Sequence, residues 1–247
     1  MHGSGGSLTT AAPSERPLIS IIVPVFNERT TVAAVIDRLL TIDLPAPREI
    51  IVINDGSSDG TREILDGLAV DARVRIVHAD RNRGKGHAIR LGLASARGDV
   101  VAIQDADLEL DPAQLASLIA PLLAGETDVV YGSRFLNGTP DAPRLTVVAN
   151  RTLTSLTNLL FGSAITDMET CYKVMRTSVA RSLGLTADRF DIEPEITALL
   201  LKAGHTIVER PVTFLPRSRA AGKKIGWRDG IAAVRVLFRH RFSRRGN

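Results

Sequence analysis

The sequence has a single cysteine, Cys171, and only 4% aromatic residues. With one thiol the chain cannot form an intrachain disulfide, and its cysteine usage gives no sign of an oxidising compartment. The five histidines are scattered without the spacing of zinc ligands, which argues against a zinc site. The N-terminus has no signal-peptide core, and no apolar run approaches the roughly 18 residues that a membrane-spanning helix needs. The expected localisation is therefore cytoplasmic.

Positive charge is concentrated at the C-terminal end of the sequence. Residues 217–247 contain ten Lys or Arg against one acid, Asp229, whereas the rest of the chain has 21 basic and 26 acidic residues. Such a basic end favours a polyanion, which could be a phosphate-bearing substrate, a membrane surface or nucleic acid. No nucleic-acid partner is expected, because no recognition motif accompanies the charge.

The order of apolar and polar segments predicts one α/β domain. Residues 1–16 are rich in Gly, Ser, Thr and Ala and are expected to be a disordered leader outside the fold. From Leu18 onward, short apolar runs alternate with helical stretches, which is typical of a mostly parallel sheet with helices on both faces. We expect a single domain over residues 17–226, followed by a basic amphipathic helix or tail over residues 227–247.

The predicted elements place polar side chains at strand ends, where the ligands of such sheets bind. The predicted strands are Ile19–Val23, Glu49–Ile53, Val74–His78, Val100–Ile103, Asp128–Tyr131 and Thr206–Glu209, with Asp167–Arg176 as a further candidate. The predicted helices are Thr30–Leu40, Thr61–Leu68, Gly86–Ala96, Pro112–Leu123, Thr146–Leu160 and Glu193–Ala203.

Two aspartates follow the apolar run Val100–Ile103, where a buried strand should emerge into a loop. Successive strand residues point to opposite faces, so Asp105 and Asp107 would share one face and reach a single cation. Hard oxygen ligands without His or Cys nearby select Mg²⁺ or Mn²⁺, and Mg²⁺ is usually held by carboxylates together with substrate phosphates. The pair therefore predicts a metal site that binds a nucleoside diphosphate. Asp-x-Asp alone leaves a turn with solvated aspartates open as the alternative.

Polar and aromatic side chains also follow the first two predicted strands. Phe26 could face a base or ribose, Glu28 could accept from ribose hydroxyls, and Asp55 could accept the imide N–H of uracil or guanine. Pro24 could equally end its strand, and Asp59 could cap the next helix. Capping explains Asp59 well and Asp55 poorly, so Asp55 is the stronger candidate for a binding residue.

The segment 81–87 is a basic, glycine-bearing loop that opens a helix. Its backbone N–H groups and Lys85 could approach a phosphate. The loop lacks the spacing of a Walker motif, and the first strand is not followed by the dinucleotide fingerprint. These absences argue against a P-loop ATPase and a Rossmann dehydrogenase.

Taken in order, these motifs resemble those of family 2 glycosyltransferases. The matching segments are Pro-Val-Phe-Asn-Glu (24–28), Asn-Asp-Gly-Ser-Ser-Asp-Gly-Thr (54–61), Asn-x-Gly-x-Gly (82–86) and Asp-Ala-Asp (105–107), and the match spans about residues 19–230. Within the family the chain looks most like polyprenyl-phosphate hexosyltransferases of the dolichol-phosphate mannose synthase type. Three further segments carry that likeness: Tyr-Gly-Ser-Arg-Phe (131–135), Thr-Asp-Met-Glu-Thr-Cys-Tyr-Lys (166–173) and Gly-Lys-Lys-Ile (222–225).

The resemblance implies a GT-A type, Rossmann-like fold and a donor site for a GDP- or UDP-sugar. It makes Asp105 and Asp107 ligands of Mg²⁺ or Mn²⁺ together with Glu109, which departs from the pattern because some relatives carry Gln there. Glu109 is also explained as a solvated acid near the start of the following helix. The residues assigned to donor binding are Pro24, Phe26, Glu28, Asp55, Lys85 and Asp105.

The resemblance also implies a polyprenyl phosphate acceptor. A lipid phosphate is already an anionic nucleophile, so it needs positioning more than a general base. Arg134 matches the family's acceptor-loop arginine, and Asp167 could orient the acceptor or, with an alcohol acceptor, act as base. The candidates for phosphate contact are Arg134, Arg151, Arg217, Arg219 and Lys224. The predicted catalytic residues are Asp107, Arg134 and Asp167. Glu193 and Glu195 resemble an acidic pair in relatives, but the helix dipole explains them equally well and they are not assigned.

Residues 227–242 form a short basic amphipathic stretch. Trp227, Ile231, Val234 and Phe238 recur at helical spacing and give one apolar face. Such a helix suits peripheral docking at the cytoplasmic face of a membrane, which would place the site near a lipid acceptor. A terminal helix packed on the core is equally compatible with this pattern.

The leading hypothesis is an inverting, metal-dependent transferase that moves a hexose, mannose ahead of glucose, from a nucleoside diphosphate to polyprenyl phosphate. The metal would neutralise charge on the departing diphosphate. The runner-up is a family 2 enzyme that acts on a sugar or glycerate hydroxyl and needs a base. A nucleotidyltransferase and a nucleotide-sugar-binding or membrane-surface scaffold are further alternatives, although intact Asp105, Asp107 and Arg134 count against a scaffold. The pattern leaves the nucleotide base, the lipid length and the oligomeric state open.

Overall fold

A computed structural model describes residues 17–216 and 227–243, so the predicted leader, residues 1–16, lies outside the described residues. Seven strands form one sheet. They are β1 (Ile19–Val25), β2 (Arg48–Asn54), β3 (Val74–His78), β4 (Val100–Ile103), β5 (Val129–Ser133), β6 (Lys173–Arg176) and β7 (Val208–Pro211). Their order in the sheet is β3-β2-β1-β4-β6-β5-β7.

In the described part of the chain, eight α-helices connect and cover the strands. They are α1 (Val32–Thr41), α2 (Thr61–Leu68), α3 (Lys85–Ser95), α4 (Leu115–Leu123), α5 (Arg144–Phe161), α6 (Thr177–Ser182), α7 (Ile192–Ala203) and α8 (Trp227–Phe242). The spacing in α1 shows why such segments become helices: Val32, Val35, Ile36 and Leu39 recur every three or four residues, and all four are buried.

The sheet is parallel except at one strand. β1 pairs in parallel with both β2 and β4, so the chain leaves β1 in opposite directions along the sheet. β6 runs antiparallel to both of its neighbours, β4 and β5. The mostly parallel α/β sheet predicted from the sequence is therefore confirmed. Its strand order reverses beside β1, and at such a point a crevice opens at the carboxyl ends of the strands.

Several predicted boundaries match the structure, and others do not. The predictions for α2, β3 and β4 agree to the residue. The predicted helix Pro112–Leu123 is a 3₁₀ turn followed by α4, and Asp111 caps the turn by accepting from the N–H of Ala113 at 3.0 Å. The candidate strand Asp167–Arg176 is a strand only from Lys173. No element was predicted for α6, because six residues are too few to show helical periodicity.

The last helix packs on the domain through Ala233, Val236 and Leu237, which are buried, with Leu237 in an apolar cluster beneath α5 and α7. Ile231 and Phe238, two members of the predicted apolar face, are 43% and 42% exposed. The helix therefore contacts the core, while part of the predicted apolar face stays at the surface. In the part of the chain that the structure describes, no helix has the length and apolar content needed to span a bilayer.

Candidate active site

The carboxyl ends of β1, β2 and β4 meet at one cavity of about 540 Å³. The sequence-predicted residues that line it are Pro24, Phe26, Glu28, Asp55, Lys85, Asp105, Asp107, Glu109 and Arg134. They come from five separate segments of the chain. The sheet thus gathers the motifs that the sequence placed at strand ends, as expected for a parallel sheet.

Asp55 fastens the basic loop before α3 to the end of β2. Its carboxylate is almost fully buried and accepts backbone N–H groups from Arg83 at 3.0 Å and Gly84 at 2.6 Å. A Cβ on Gly84, whose φ is 113°, would lie 2.5 Å from the carbonyl oxygen of Asp188, so this position requires glycine. Backbone N–H groups of this loop were predicted to approach a phosphate. Those of Arg83 and Gly84 instead donate to Asp55.

Glu28 is positioned by the start of the neighbouring helices. Its backbone N–H donates to Thr61 Oγ1 at 3.0 Å, and its carboxylate accepts from Thr31 Oγ1 at 3.0 Å. Asp59 accepts from the N–H of Thr61 at 3.1 Å, which confirms its predicted capping role. The acid that lines the cavity here is therefore Glu28, while Asp59 builds the turn beside it.

Lys85 lies at the centre of a buried charge cluster. Its Nζ is 2.8 Å from Asp105 Oδ1 and 2.9 Å from Glu193 Oε1. Glu193 Oε2 also accepts a hydrogen bond from Lys173 Nζ at 2.6 Å. Burial lowers the pKa of Lys85, but the opposing effect of nearby acidic groups, Asp105 foremost, raises it well above its ordinary value. Lys85 is therefore a fixed cation on the cavity wall.

The segment after β4 reaches the cavity through a turn. The sequence argument assumed an extended chain as far as Asp107, but β4 ends at Ile103. Leu108 has a φ of 61°, an unusual value for a bulky residue, and Asp107 Oδ1 accepts from the N–H of Glu109 at 3.2 Å. This turn, and not strand alternation, brings Asp105, Asp107 and Glu109 to one cavity.

A metal site formed by Asp105, Asp107 and Glu109 was predicted from the sequence. Within residues 17–216 and 227–243, no group of three His, Cys, Asp or Glu side chains is arranged to hold a metal ion. Asp105 Oδ1 faces Lys85 Nζ at 2.8 Å, and the three-carboxylate site stays a prediction. The donor set still fits Mg²⁺ or Mn²⁺ in kind, because the three side chains on the cavity wall are hard carboxylates and substrate phosphates can complete the ligand sphere.

Arg134 lines the same cavity and is held in a fixed orientation. Its Nε and Nη2 donate to the two carboxylate oxygens of Asp167 at 2.7 and 2.8 Å, and its guanidinium lies 5.4 Å from the ring centre of Phe214. Asn150 donates to the same carboxylate at 3.1 Å. Burial lowers the pKa of Arg134 and Asp167 raises it, with a net upward shift. The cation is therefore permanent and fixed in orientation.

Asp167 itself does not reach the cavity. It is fully buried behind Arg134 and is absent from the cavity wall. Of the two predicted roles, action as a base lacks a path to a substrate, whereas orientation of the acceptor through Arg134 agrees with the geometry.

Lys173 holds the backbone of the loop between Asp167 and Tyr172. Lys173 is fully buried, and its Nζ donates to the carbonyl oxygens of Met168 and Thr170, which flank Glu169. Glu169 lines the cavity, and among the described residues its buried Oε1 has no hydrogen-bond partner. Burial, the largest effect, raises the pKa of Glu169 to about 7.

The remaining predicted phosphate contacts lie elsewhere. Arg151 is exposed, donates to Thr139 Oγ1 at 2.8 Å and stacks over Phe135 at 5.4 Å, without lining the cavity. Arg217, Arg219 and Lys224 lie outside the described residues. The wall around Arg134 is otherwise mainly apolar, with contributions from Phe135, Pro140, Ala142, Pro143, Val147, Phe214 and Pro216.

Sequence reasoning missed two acids of the site, Glu169 and Glu193. The helix dipole explained Glu193 well enough to set it aside, yet its carboxylate bridges Lys85 and Lys173. Glu169 stands within a quoted motif but had no assigned role. The contact between a buried carboxylate and a buried lysine depends on how the loop between Asp167 and Tyr172 packs against α7. The sequence alone does not predict that packing.

Comparison with known proteins gives one family match. Residues 20–184 match the model of glycosyl transferase family 2. The chain is 29% identical to polyprenol monophosphomannose synthase of Mycolicibacterium smegmatis, over 91% of this chain and 87% of that protein. It is 32% identical to glycosyltransferase AglD of Haloferax volcanii over 81% of this chain, which spans only 33% of AglD.

The fold also matches solved structures. Glucosyl-3-phosphoglycerate synthase of Mycobacterium tuberculosis in complex with UDP superimposes with a TM-score of 0.70 at 21% identity, over 91% of this chain and 80% of that one. Further structures of that enzyme contain Mn²⁺ or Mg²⁺, with TM-scores of 0.67 and 0.66 at 22% identity, over 91% of this chain and 80% and 79% of theirs. At this identity the likeness establishes the fold, which is of the predicted GT-A type.

Proposed function

The chain belongs to glycosyl transferase family 2, and from this premise we propose that it transfers a hexose from a nucleoside-diphosphate sugar to a polyprenyl phosphate, with inversion at the anomeric carbon. One observation carries the proposal. One cavity is lined both by Asp105, Asp107 and Lys85 and by Arg134 together with apolar side chains. The name of the Mycolicibacterium relative, which is 29% identical along most of its length, supports the same substrate class.

The end of the cavity near β1 and β2 suits the donor. Phe26 offers an aromatic face to a base or ribose, and Glu28 and Asp55 offer acceptors for hydroxyl or imide groups. Lys85 is within reach of the same cavity and carries a permanent positive charge. We assign the diphosphate of the donor to Lys85. A bound phosphate would then share the positive charge of Lys85 with Asp105.

A divalent metal fits the same end. Asp105, Asp107 and Glu109 would hold Mg²⁺ or Mn²⁺ together with the donor phosphates. When bound, the ion would offset the charge that develops on the departing diphosphate.

The Arg134 end suits an anionic, lipid-linked nucleophile. In the proposed step an acceptor phosphate oxygen forms a bond to the anomeric carbon, and the bond to the nucleoside diphosphate breaks with its electron pair leaving on that group. The phosphate is already ionised, so no proton has to be removed. This requirement agrees with Asp167, which is sealed behind Arg134 and holds two of its nitrogens. The apolar wall suits the first isoprene units.

The substrate assignment is tested by incubating the protein and Mn²⁺ with a panel of nucleotide sugars, with and without polyprenyl phosphate. We expect GDP or UDP to be released only when the lipid phosphate is present, together with a glycolipid product, and GDP-mannose to be the preferred donor. Release that does not depend on an acceptor, or pyrophosphate release from a nucleoside triphosphate, would reject the proposed reaction.

The metal role is tested by Asp107→Ala. We expect transfer to be lost because the donor diphosphate would lose a metal ligand, while the thermal unfolding temperature stays within a few degrees of the wild type, since Asp107 is partly exposed. Glu126→Gln, a change at an exposed turn, is the matched control. Near-normal transfer by Asp107→Ala would refute the metal role.

We also propose that the protein docks on an anionic bilayer through α5 and α8. The exposed apolar side chains are Leu145, Val148 and Leu159 on α5, and Ile231, Phe238 and Phe242 on α8. The two helices are joined where Arg241 Nε donates to the carbonyl oxygen of Leu160 at 2.7 Å. Exposed arginines at 235, 239 and 241 supply the complementary charge for acidic headgroups. The first turns of α5 also line the cavity, so docking would bring Arg134 close to a lipid phosphate.

A further inference from the structure

Glu169 combines three properties that its place in the fold does not explain. It lines the cavity, its Oε1 is buried, and the described residues give that oxygen no hydrogen-bond partner. Buried polar atoms in native proteins are nearly always satisfied, so such an atom calls for a ligand or a functional reason. Keeping an unsatisfied carboxylate costs stability, which the pKa of about 7 reflects.

The backbone beside Glu169 is fixed on both sides. Lys173 Nζ bonds to the carbonyl oxygens of Met168 and Thr170, and Thr170 Oγ1 donates to the carbonyl oxygen of Gly132 at 2.6 Å. Met168 is held through its N–H, which donates to Thr154 Oγ1 at 3.1 Å. The carboxylate is therefore presented to the cavity by a rigid loop, as a recognition group needs to be.

The charged groups that act on Glu169 belong to the ion pairs of both Lys85 and Arg134. They are Glu193, which pairs with Lys85 and Lys173, Lys173 itself, and the pair of Arg134 and Asp167. In the proposed reaction the hexose passes from a diphosphate near Lys85 to a phosphate near Arg134. The transferred sugar must therefore lie in the region that Glu169 faces.

We propose that Glu169 is a specificity-determining residue that accepts a hydrogen bond from one hydroxyl of the transferred hexose. The inference rests on the proposed function for the identity of the ligand. A carboxylate oxygen is a strong acceptor without a donor of its own, and a sugar hydroxyl is a donor. A pocket that must satisfy a buried polar group rejects a ligand that lacks the partner group.

The test is a thermodynamic cycle in which Glu169 is changed in the protein and one hydroxyl is removed from the sugar of the ligand. Affinities of GDP-mannose, UDP-glucose and their 2-, 3-, 4- and 6-deoxy analogues are measured by isothermal titration calorimetry with Mn²⁺, for the wild type, Glu169→Ala and Glu169→Gln. We expect one deoxy analogue to bind the wild type about 10- to 100-fold more weakly than its parent sugar nucleotide. Glu169→Ala should lower the affinity for the parent sugar nucleotide by a similar factor. In this variant, removal of that hydroxyl should cause no further loss of affinity. Glu169→Gln should fall between the two.

Free GDP and UDP separate this role from a structural one. Their affinities should be the same in the wild type and in Glu169→Ala, because neither contains the hexose. The inference is overturned if Glu169→Ala weakens every donor and the free diphosphates alike, or if the variant binds all donors as the wild type does. Failure of the proposed function looks different: the binding cycle would hold while polyprenyl phosphate produces no diphosphate release. Glu126→Gln again serves as the exposed control.

Discussion

The pair formed by Arg134 and Asp167 bears directly on the chemistry of the proposed acceptor. A carboxylate that is fully buried and bound at both oxygens cannot take a proton from a substrate hydroxyl. It can, however, fix a guanidinium in one orientation, because the two parallel N–H···O bonds define a plane. The pair is therefore suited to an acceptor that arrives already ionised.

Replacement of Asp167 by Asn tests this reading of the pair. We expect the KM for polyprenyl phosphate to rise about 10- to 100-fold as Arg134 loses its orientation, while turnover at saturation persists. An enzyme that used Asp167 as its base would instead lose about 10²- to 10⁴-fold in kcat. Steady-state kinetics with varied lipid phosphate distinguishes the two outcomes, and thermal unfolding of the variant shows whether the buried cation has compromised the fold.

Glu169 predicts a pH-dependent stability. Its pKa rises from 4.5 to about 7 in the folded protein, so the folded state binds the extra proton between these pH values. The free energy of unfolding that Glu169 contributes therefore falls as the pH rises through this range. Glu169→Gln should be more stable than the wild type by about 1–3 kcal/mol at pH 8, and equal to it at pH 4.

Chemical denaturation at both pH values measures the difference. Glu126→Gln, at an exposed turn, should show no difference at either pH. A Glu169→Gln variant that is less stable than the wild type at pH 8 would contradict the raised pKa.

Residue types and their spacing were enough to predict most of the charged residues that line the cavity, because parallel strands place their carboxyl ends together. Asp105 and Lys85 could be selected in this way. Glu193 could not, since its contact with Lys85 joins residues far apart in the chain and depends on how α7 packs. The burial of Asp167 was hidden for the same reason.

Among the elements, the turn after β4 best shows the limit of pattern reasoning. Strand alternation predicted that Asp105 and Asp107 would share a face. The strand instead ends at Ile103 and the chain turns, with Leu108 in a left-handed conformation before Glu109, and such a conformation is not encoded by hydrophobic periodicity. The antiparallel direction of β6 was likewise invisible, because an apolar run does not carry its own direction.

In helix α8 the buried side chains stabilise the fold, whereas the exposed side chains are proposed to contact the membrane. Leu237→Ala should lower the free energy of unfolding by about 2–5 kcal/mol, since Leu237 is fully buried. The double change Phe238→Ser and Phe242→Ser should leave that free energy within about 1 kcal/mol, because both rings are partly exposed. The same double variant should bind vesicles that contain acidic lipids at least about 10-fold more weakly.

Co-sedimentation with acidic and with purely zwitterionic vesicles measures the binding. Unchanged binding by the double variant, or equal wild-type binding to both kinds of vesicle, would contradict docking through α5 and α8.

At the scale of the whole molecule, the groups proposed to bind the donor and those proposed to bind the acceptor line one cavity. The acidic side chains that suit a metal and a donor lie at the carboxyl ends of the central strands, whereas Arg134 and the apolar wall lie toward α5. The surplus of basic residues at the C-terminal end was visible in composition alone. Its relation to the cavity required the structure, because α8 packs against α5 and α7, and α5 forms part of the cavity wall.

The central claim is that the nucleophile is a lipid phosphate held by Arg134. The most direct measurement compares three acceptors at equal concentration, with the wild-type protein, Mn²⁺ and the preferred nucleotide sugar: polyprenyl phosphate, the polyprenol of the same length without its phosphate, and 3-phosphoglycerate. The account predicts stoichiometric release of nucleoside diphosphate with polyprenyl phosphate alone. Comparable release with the polyprenol or with 3-phosphoglycerate would contradict it.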